Sequence, residues 1–189
     1  MGIGTRDRIV AAGRELFAKH GFGQVGLDQI VQQARLTKTT FYNHFESKEQ
    51  LIREVLDLQE HQMREAVSAA VEQQAAGDPR RKLVAMFRVL PEILDGGCFG
   101  CNLLISAAAD YPNELDPIHQ AVSRNKQAMS KLVQGWAEEA GAADAAALAG
   151  MLVQIYYGSV LDQMLSNDRE QSFANAFRAA ELCVGSAFA

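Results

Sequence analysis

The chain has 189 residues, 48% hydrophobic and 7% aromatic with only four prolines, so it can bury a core without disulfide staples and its composition favours helices over a sheet. A formal charge of -5 would argue against a nucleic-acid partner if spread evenly, but residues 1 to 53 carry eight Lys or Arg against five Asp or Glu, and residues 54 to 189 carry ten against eighteen. A basic segment on an acidic body points to a division of labour.

The first predicted helix opens near Thr5, carries Ile9, Ala12, Leu16 and Phe17 on one stripe, and ends at Gly21, a residue suited to a left-handed C-terminus. A short second helix fits Leu27 to Ala34, with Gly26 as an N-cap that lacks a side-chain oxygen. Arg35, Leu36 and Thr37 leave room for a three-residue turn. The third helix follows from Lys38 to about Phe45, with Phe41 and Phe45 four apart and directed inward. Ser47 and Gln50 form a capping-box pattern that starts a long fourth helix carrying Leu51, Ile52, Val55, Leu58, Val67 and Val71 and closed by Gly77. Asp78-Pro79 and Asp116-Pro117 pair an N-cap acid with proline at the first helical position, and Asn167 with Glu170 resembles another capping box. Further helices are predicted near 79 to 94, 98 to 110, 117 to 140, 144 to 165 and 168 to 187, about nine in all and no strand.

Two short helices joined by three residues match the helix-turn-helix unit, whose second helix enters the major groove. With Phe41 and Phe45 inward, Thr39, Tyr42 and Asn43 point out, and Thr40 and His44 flank them. Asn can read adenine bidentately and Thr can meet a thymine methyl. Tyr42, and Lys38 at the helix start, suit the phosphate backbone. The start of the fourth helix, beside Lys48, offers N–H groups and a favourable dipole for another phosphate.

The segment GFGQVGLDQIVQQARLTKTTFYNHFESKEQL resembles the DNA-binding region of the TetR family of transcriptional repressors. With the first helix the likeness covers about 53 residues, and it is most specific from Thr37 to Leu51. The resemblance implies that Thr37, Lys38, Thr39, Thr40, Tyr42, Asn43, His44 and Lys48 contact double-stranded operator DNA. It also implies an all-helical homodimer with a second domain that binds a small-molecule effector and dimerises through the last two helices. Val25 and Gly26 stand where the family commonly has Thr or Ser, and Arg35 and Thr39 replace frequent glycines. Arg35 would then occupy a turn position that needs positive φ.

Beyond residue 53 the likeness is one of layout, apart from G-C-x-x-x-N at 97 to 102 and A-A-A-D-Y-P at 107 to 112. A cleft lined by Met63, Phe87, Phe99, Asn102, Ser106, Met129 and Tyr156 is the expected effector pocket, although the same spacing describes ordinary core. Ala149, Gly150, Gly158 and Ser159 are small enough to admit a neighbouring helix, which the stripe Phe173, Ala176, Phe177, Ala180 and Val184 could supply.

GGCFGC at 96 to 101 raises separate chemistry. A thioredoxin-like role needs a βαβ setting and a closed zinc site needs four ligands, and neither pattern is present, so no metal and no cofactor are expected. Packed thiols are one reading; a redox or electrophile sensor using Cys98 and Cys101 is another, since a thiol at a helix start can ionise more easily. A thiol-dependent helical enzyme lacks a grouped base and orienting partner. No signal-like segment and no run of about 18 uncharged apolar residues occurs, so no membrane role and a cytoplasmic location are expected. The chain is thus read as all-α: a three-helix helix-turn-helix domain over 1–47 and a helical ligand-binding and dimerisation domain over 48–189. It is expected to be a regulator and not an enzyme, released from a palindromic operator by an effector.

Overall fold

The computed structural model describes residues 4–95 and 100–188, with side chains from residue 103 onward in the second stretch. Among these residues there are nine helices and no strand: α1 Thr5–His20, α2 Leu27–Gln33, α3 Lys38–Tyr42, α4 Lys48–Ala75, α5 Pro79–Asp95, α6 Gly100–Asp110, α7 Pro117–Glu139, α8 Ala145–Leu165 and α9 Arg169–Ala187. Packing groups them into two compact units, one of Met1–Glu60 with Asn102–Asn125 and one of His61–Cys101 with Lys126–Ala189.

Helix ends follow the side chains available to them. Gly21 closes α1 at φ +77, with its N–H on the Phe17 carbonyl at 2.9 Å. Asp78 accepts from the Arg80 N–H at 2.9 Å and Asp116 from the Ile118 N–H at 2.7 Å, each offsetting a donor left orphaned at a helix start. The cap of α9 is Asp168, which accepts from Gln171 at 2.9 Å, rather than the expected Asn167. Ser47 Oγ accepts from the Gln50 N–H at 3.3 Å, while the Gln50 side-chain Oε1 reaches back to accept from the Glu46 N–H at 2.6 Å. That bond falls one residue earlier than in the usual box.

The first unit is built on aromatic side chains. Phe17, Phe22, Phe41 and Phe45 are all buried, as are Ile9, Ile30, Leu51, Ile52 and Val55. The Phe17 and Phe22 rings lie 5.1 Å apart, and Phe41 stacks on Phe45 at 5.5 Å. Leu58 was expected inward but is exposed; Leu56 takes the buried place.

In the second unit α9 packs against α5 and α8. Lys82 bridges Glu72 of α4 at 2.6 Å and Glu139 of α7 at 3.1 Å. The hydrogen bond to Glu72 is the first cause of an ammonium pKa above the ordinary lysine value. α8 comes nearest to a spanning helix, with mean hydropathy 1.2 over 18 residues, but it buries Leu148, Leu152, Val153, Tyr156 and Val160 within this unit. Its small residues do not share one face: Ala149 and Ser159 are buried, whereas Gly150 and Gly158 are exposed. On α9, Ala176, Ala180 and Val184 are buried and Phe173 and Phe177 half-buried in the protomer itself.

The turn after α2 sets the direction of α3. The Arg35 N–H bonds the Gln32 carbonyl at 3.0 Å and the Leu36 N–H the Val31 carbonyl at 2.8 Å, the double bond pattern of a Schellman ending. Its left-handed position is held by Arg35 at φ +55, a non-glycine residue, whereas the like ending of α7 uses Gly141 at φ +75. An L-residue there costs roughly 1–2 kcal/mol, partly offset by the chain entropy that glycine loses, about 0.5–1 kcal/mol. Arg35→Gly is therefore expected to raise stability by about 0.5–1 kcal/mol, seen as a higher urea midpoint with an unchanged slope. A lower midpoint would show that the Arg35 side chain contributes more than its backbone strain costs.

Candidate nucleic-acid interface

Between α2 and α3 the chain turns so that buried Phe41 and Phe45 form the base of the segment and polar side chains its outer surface. α3 is one residue longer than a single turn, ending at Tyr42 rather than near Phe45, although the Phe45 N–H still reaches the Phe41 carbonyl at 2.9 Å. Thr37 caps it: Oγ1 accepts from the Thr40 N–H at 3.1 Å and shares a hydrogen bond with the Thr40 hydroxyl at 2.9 Å. Those two hydroxyls are engaged locally. Thr39, Tyr42, Asn43 and His44 are exposed, Tyr42 by 56%, and their side chains make no hydrogen bond among the described residues. The Tyr42 ring meets Phe41 edge-on at 5.5 Å, which fixes its direction.

The two candidate lysines are both occupied. Lys38 Nζ lies 2.7 Å from Asp28 Oδ1, with both side chains largely exposed. Its pKa is held above the ordinary lysine value by the Asp28 hydrogen bond first and the Asp28 charge second. Lys48 Nζ donates to the Phe22 carbonyl at 3.0 Å and the Val25 carbonyl at 3.1 Å. It ties the loop between α1 and α2 to the start of α4, a structural task that its expected place at a phosphate did not foresee.

Sequence reading missed several supports. Arg8 Nη2 donates to the Ala34 carbonyl at 2.6 Å, satisfying the end of α2. Arg6 pairs with Glu54 and lies 4.7 Å from the centre of the Phe45 ring. Gln29 Oε1 accepts from the Gly26 N–H at 2.7 Å, half of a capping box whose other half glycine cannot make. Nothing in the periodicity marks Arg6 or Arg8; Gln29 at the third helical position was a legible signal. The Tyr111 ring meets Phe22 edge-on at 6.2 Å, with burial raising the phenol pKa. His119 Nδ1 donates to the Tyr111 carbonyl at 2.8 Å. Glu49 is held below the ordinary carboxylate pKa, first by its own backbone N–H and then by Ser47. It therefore stabilises the fold at pH above its unfolded pKa, an effect lost as pH falls through the lowered folded value.

The expected effector residues separate. Met63, Phe87, Met129 and Tyr156 are buried in the second unit. Ser106 is half-buried in the first unit, Asn102 lies in α6 with its side chain undescribed, and Phe99 falls outside the described residues, as does Cys98. Cys101 is in α6, also without a described side chain; Cys183 is a free, half-buried thiol of α9. None of the described cavities is lined by these effector candidates. Asn125, not singled out in the sequence, is buried in the first unit with an amide nitrogen that finds no acceptor.

A tight turn between two short helices, the second carrying bare polar groups on an aromatic base, defines a helix-turn-helix DNA-binding regulator. Residues 9–55 match the family described as bacterial regulatory proteins, tetR family. The transcriptional repressor DhaR of Mycobacterium sp. (strain GP1) is 27% identical over 181 residues, 88% of this chain and 85% of that protein. The transcriptional regulator UidR of Escherichia coli (strain K12) is 38% identical over 52 residues, only 28% of this chain and 26% of UidR. The solved structure of SCO4454, a TetR-family transcriptional regulator from Streptomyces coelicolor, aligns with TM-score 0.82 and 25% identity, covering 97% of this chain and 95% of that one. Residues 9–55 thus carry the DNA-binding region of the tetR family, and the chain as a whole is similar to TetR-family transcriptional regulators.

Lys48→Met is expected to lower stability by about 1–3 kcal/mol, because two loop carbonyls lose a charged donor. Chemical denaturation measures it, and unchanged stability would show that Lys48 is not needed to brace the loop.

Proposed function

We propose that the protein is a one-component repressor in which Thr39 and Tyr42 of α3, with Asn43 and His44 just after it, read a palindromic operator, with Thr37, Lys38, Thr40 and Lys48 positioning it. The observation that carries this reading is that Thr39 and Tyr42 on α3, and Asn43 and His44 just after it, are exposed with no side-chain hydrogen bond among the described residues, above the buried Phe41 and Phe45. DNA would replace Asp28 as the partner of the Lys38 ammonium. The functional division falls at residue 47, with DNA binding over 1–47 and effector binding and dimerisation over 48–189. DhaR is named a repressor, which supports that direction of action here, and a DNA-bound regulator works in the cytoplasm.

Release by a small molecule requires only that the effector favour one of two dimer geometries. Met63, Phe87, Met129 and Tyr156 are each buried in the second unit, a setting that suits an apolar effector, with Phe99, Asn102 and Ser106 as the remaining candidates.

Dimerisation through α8 and α9 is supported by an uncharged outward row on α8, comprising Ala147, Met151, Gln154, Gly158, Leu161 and Leu165, all exposed. Their alternating spacing of three and four is that of a helix-pairing seam. Two-fold pairing would match the operator's symmetry.

Titration on the chain's own upstream DNA at several salt concentrations tests the reading. Affinity should fall steeply with salt, and Lys38→Ala should weaken all sequences alike and reduce the salt slope by about one. Asn43→Ala should in addition relax preference at one base, by roughly 1–3 kcal/mol. Binding insensitive to salt and sequence would refute it. Separately, Met151→Asp with Leu161→Asp should convert dimer to monomer in sedimentation; a dimer that survives both charges would place the interface elsewhere.

A further inference from the structure

Residues 54 to 189 carry eighteen acidic against ten basic side chains, yet one groove of the second unit reverses that sign. It encloses about 360 Å³ and is lined by Gln74, Arg80, Arg81, Val84, Ala85, Arg88 and Glu181. Arg81, Val84, Ala85 and Arg88 recur at the spacing of one face of α5. Three arginines thus line the groove against a single carboxylate, Glu181.

Two of these guanidiniums are held by aromatic rings. The Arg80 guanidinium carbon lies 4.1 Å from the Phe188 ring centre, and that of Arg88 lies 4.6 Å from the Phe177 ring centre. Stacking uses the face of a guanidinium and leaves its edge donors free for a forked acceptor. Among the described residues, neither fork has an acceptor, whereas the Arg81 side chain is engaged with Asp78 at 3.3 Å. Stacking also restricts rotamers before any ligand arrives, so less entropy is lost on binding. Repulsion between the three cations would be relieved by an anion and is only partly relieved by Glu181.

We propose that this groove is a binding site for a small organic oxyanion, a carboxylate or phosphate group held by the edges of Arg80 and Arg88 with its carbon body over Val84. Fork-to-oxyanion pairing is the geometry that arginine, rather than lysine, provides. Nothing in the proposal requires operator binding, and the groove shares no residue with the effector candidates in the protein's interior.

The test uses the full chain without DNA and calorimetric titration in two arms, succinate and inorganic phosphate, against sodium chloride of matched ionic strength. At least one arm should saturate at one site per chain. Arg80→Gln with Arg88→Gln should weaken binding by about tenfold or more, since two charge-assisted hydrogen-bonding groups are lost. Glu181→Gln should tighten it several-fold by removing the competing carboxylate. Saturation in neither arm, or a double variant that binds as the parent does, overturns the site. Should the double variant lose thermal stability, Glu181→Gln decides alone: tighter binding supports the site and unchanged affinity overturns it. Because no DNA is present, the outcome stands apart from whether the repressor reading holds.

Discussion

A five-residue helix does not persist in water, because the cost of ordering its first turn is recovered only over many later residues. α3 is that short, so its existence depends on the burial of Phe41 and Phe45. Two such side chains contribute roughly 3–6 kcal/mol, and the Thr37 cap about 1 kcal/mol more. Ordering five residues of backbone costs about 1–2 kcal/mol each. The terms are comparable, and the exposed polar face of α3 exists because the anchors lie beneath it. Substitutions in the base would therefore act on DNA binding without touching DNA.

Direction is a separate matter from existence, and it is set by cations turned inward as donors. Arg8 holds the Ala34 carbonyl at the end of α2, and Lys48 holds the Phe22 and Val25 carbonyls in the preceding loop. Loop carbonyls without helical partners need donors, and a half-buried one left bare is costly. The module thus uses part of its positive charge as internal bracing. Arg35 adds the opposite effect, since it retains a left-handed backbone that glycine would adopt without strain.

Helix positions were legible because their ends are written in short-range chemistry: glycine after α1, α4 and α7, and aspartate before α5, α7, α8 and α9. The helix-turn-helix was legible for the same reason, as the Arg35 turn and the Phe41 and Phe45 pair lie within a few residues of each other. Long-range bonds left no such mark. Arg8 and Ala34, or Lys48 and Phe22, are 26 residues apart, and nothing in a one-dimensional pattern separates a bracing cation from a phosphate-binding one. Helical phase was the other weakness. Leu58 and Leu56 differ by two positions on α4, and only packing shows which of them faces inward. The inner residues of the second unit read as core, and core they are, so a ligand preference could not be extracted from their spacing. The arginine groove was invisible for a related reason, since Phe177 and Glu181 of α9, and Phe188 just after it, follow α5 by more than 70 residues.

This use of charge bears on how the module distinguishes sequences. Arg6, Arg8, Lys38 and Lys48 already have protein partners, so a net charge counted from the sequence overstates what is free to neutralise phosphate. The Lys38 pair is exposed, where solvent screens its attraction, so the proposed exchange of Asp28 for phosphate would cost little. Lys48 is different, because leaving its carbonyls would unbrace the loop. A regulator with few spare cations gains less from nonspecific backbone attraction, while the contacts proposed for Thr39, Tyr42, Asn43 and His44 would be unaffected by that economy. Weak general affinity with intact base contacts widens the ratio between operator and bulk DNA, and that ratio is the quantity on which a genomic switch depends.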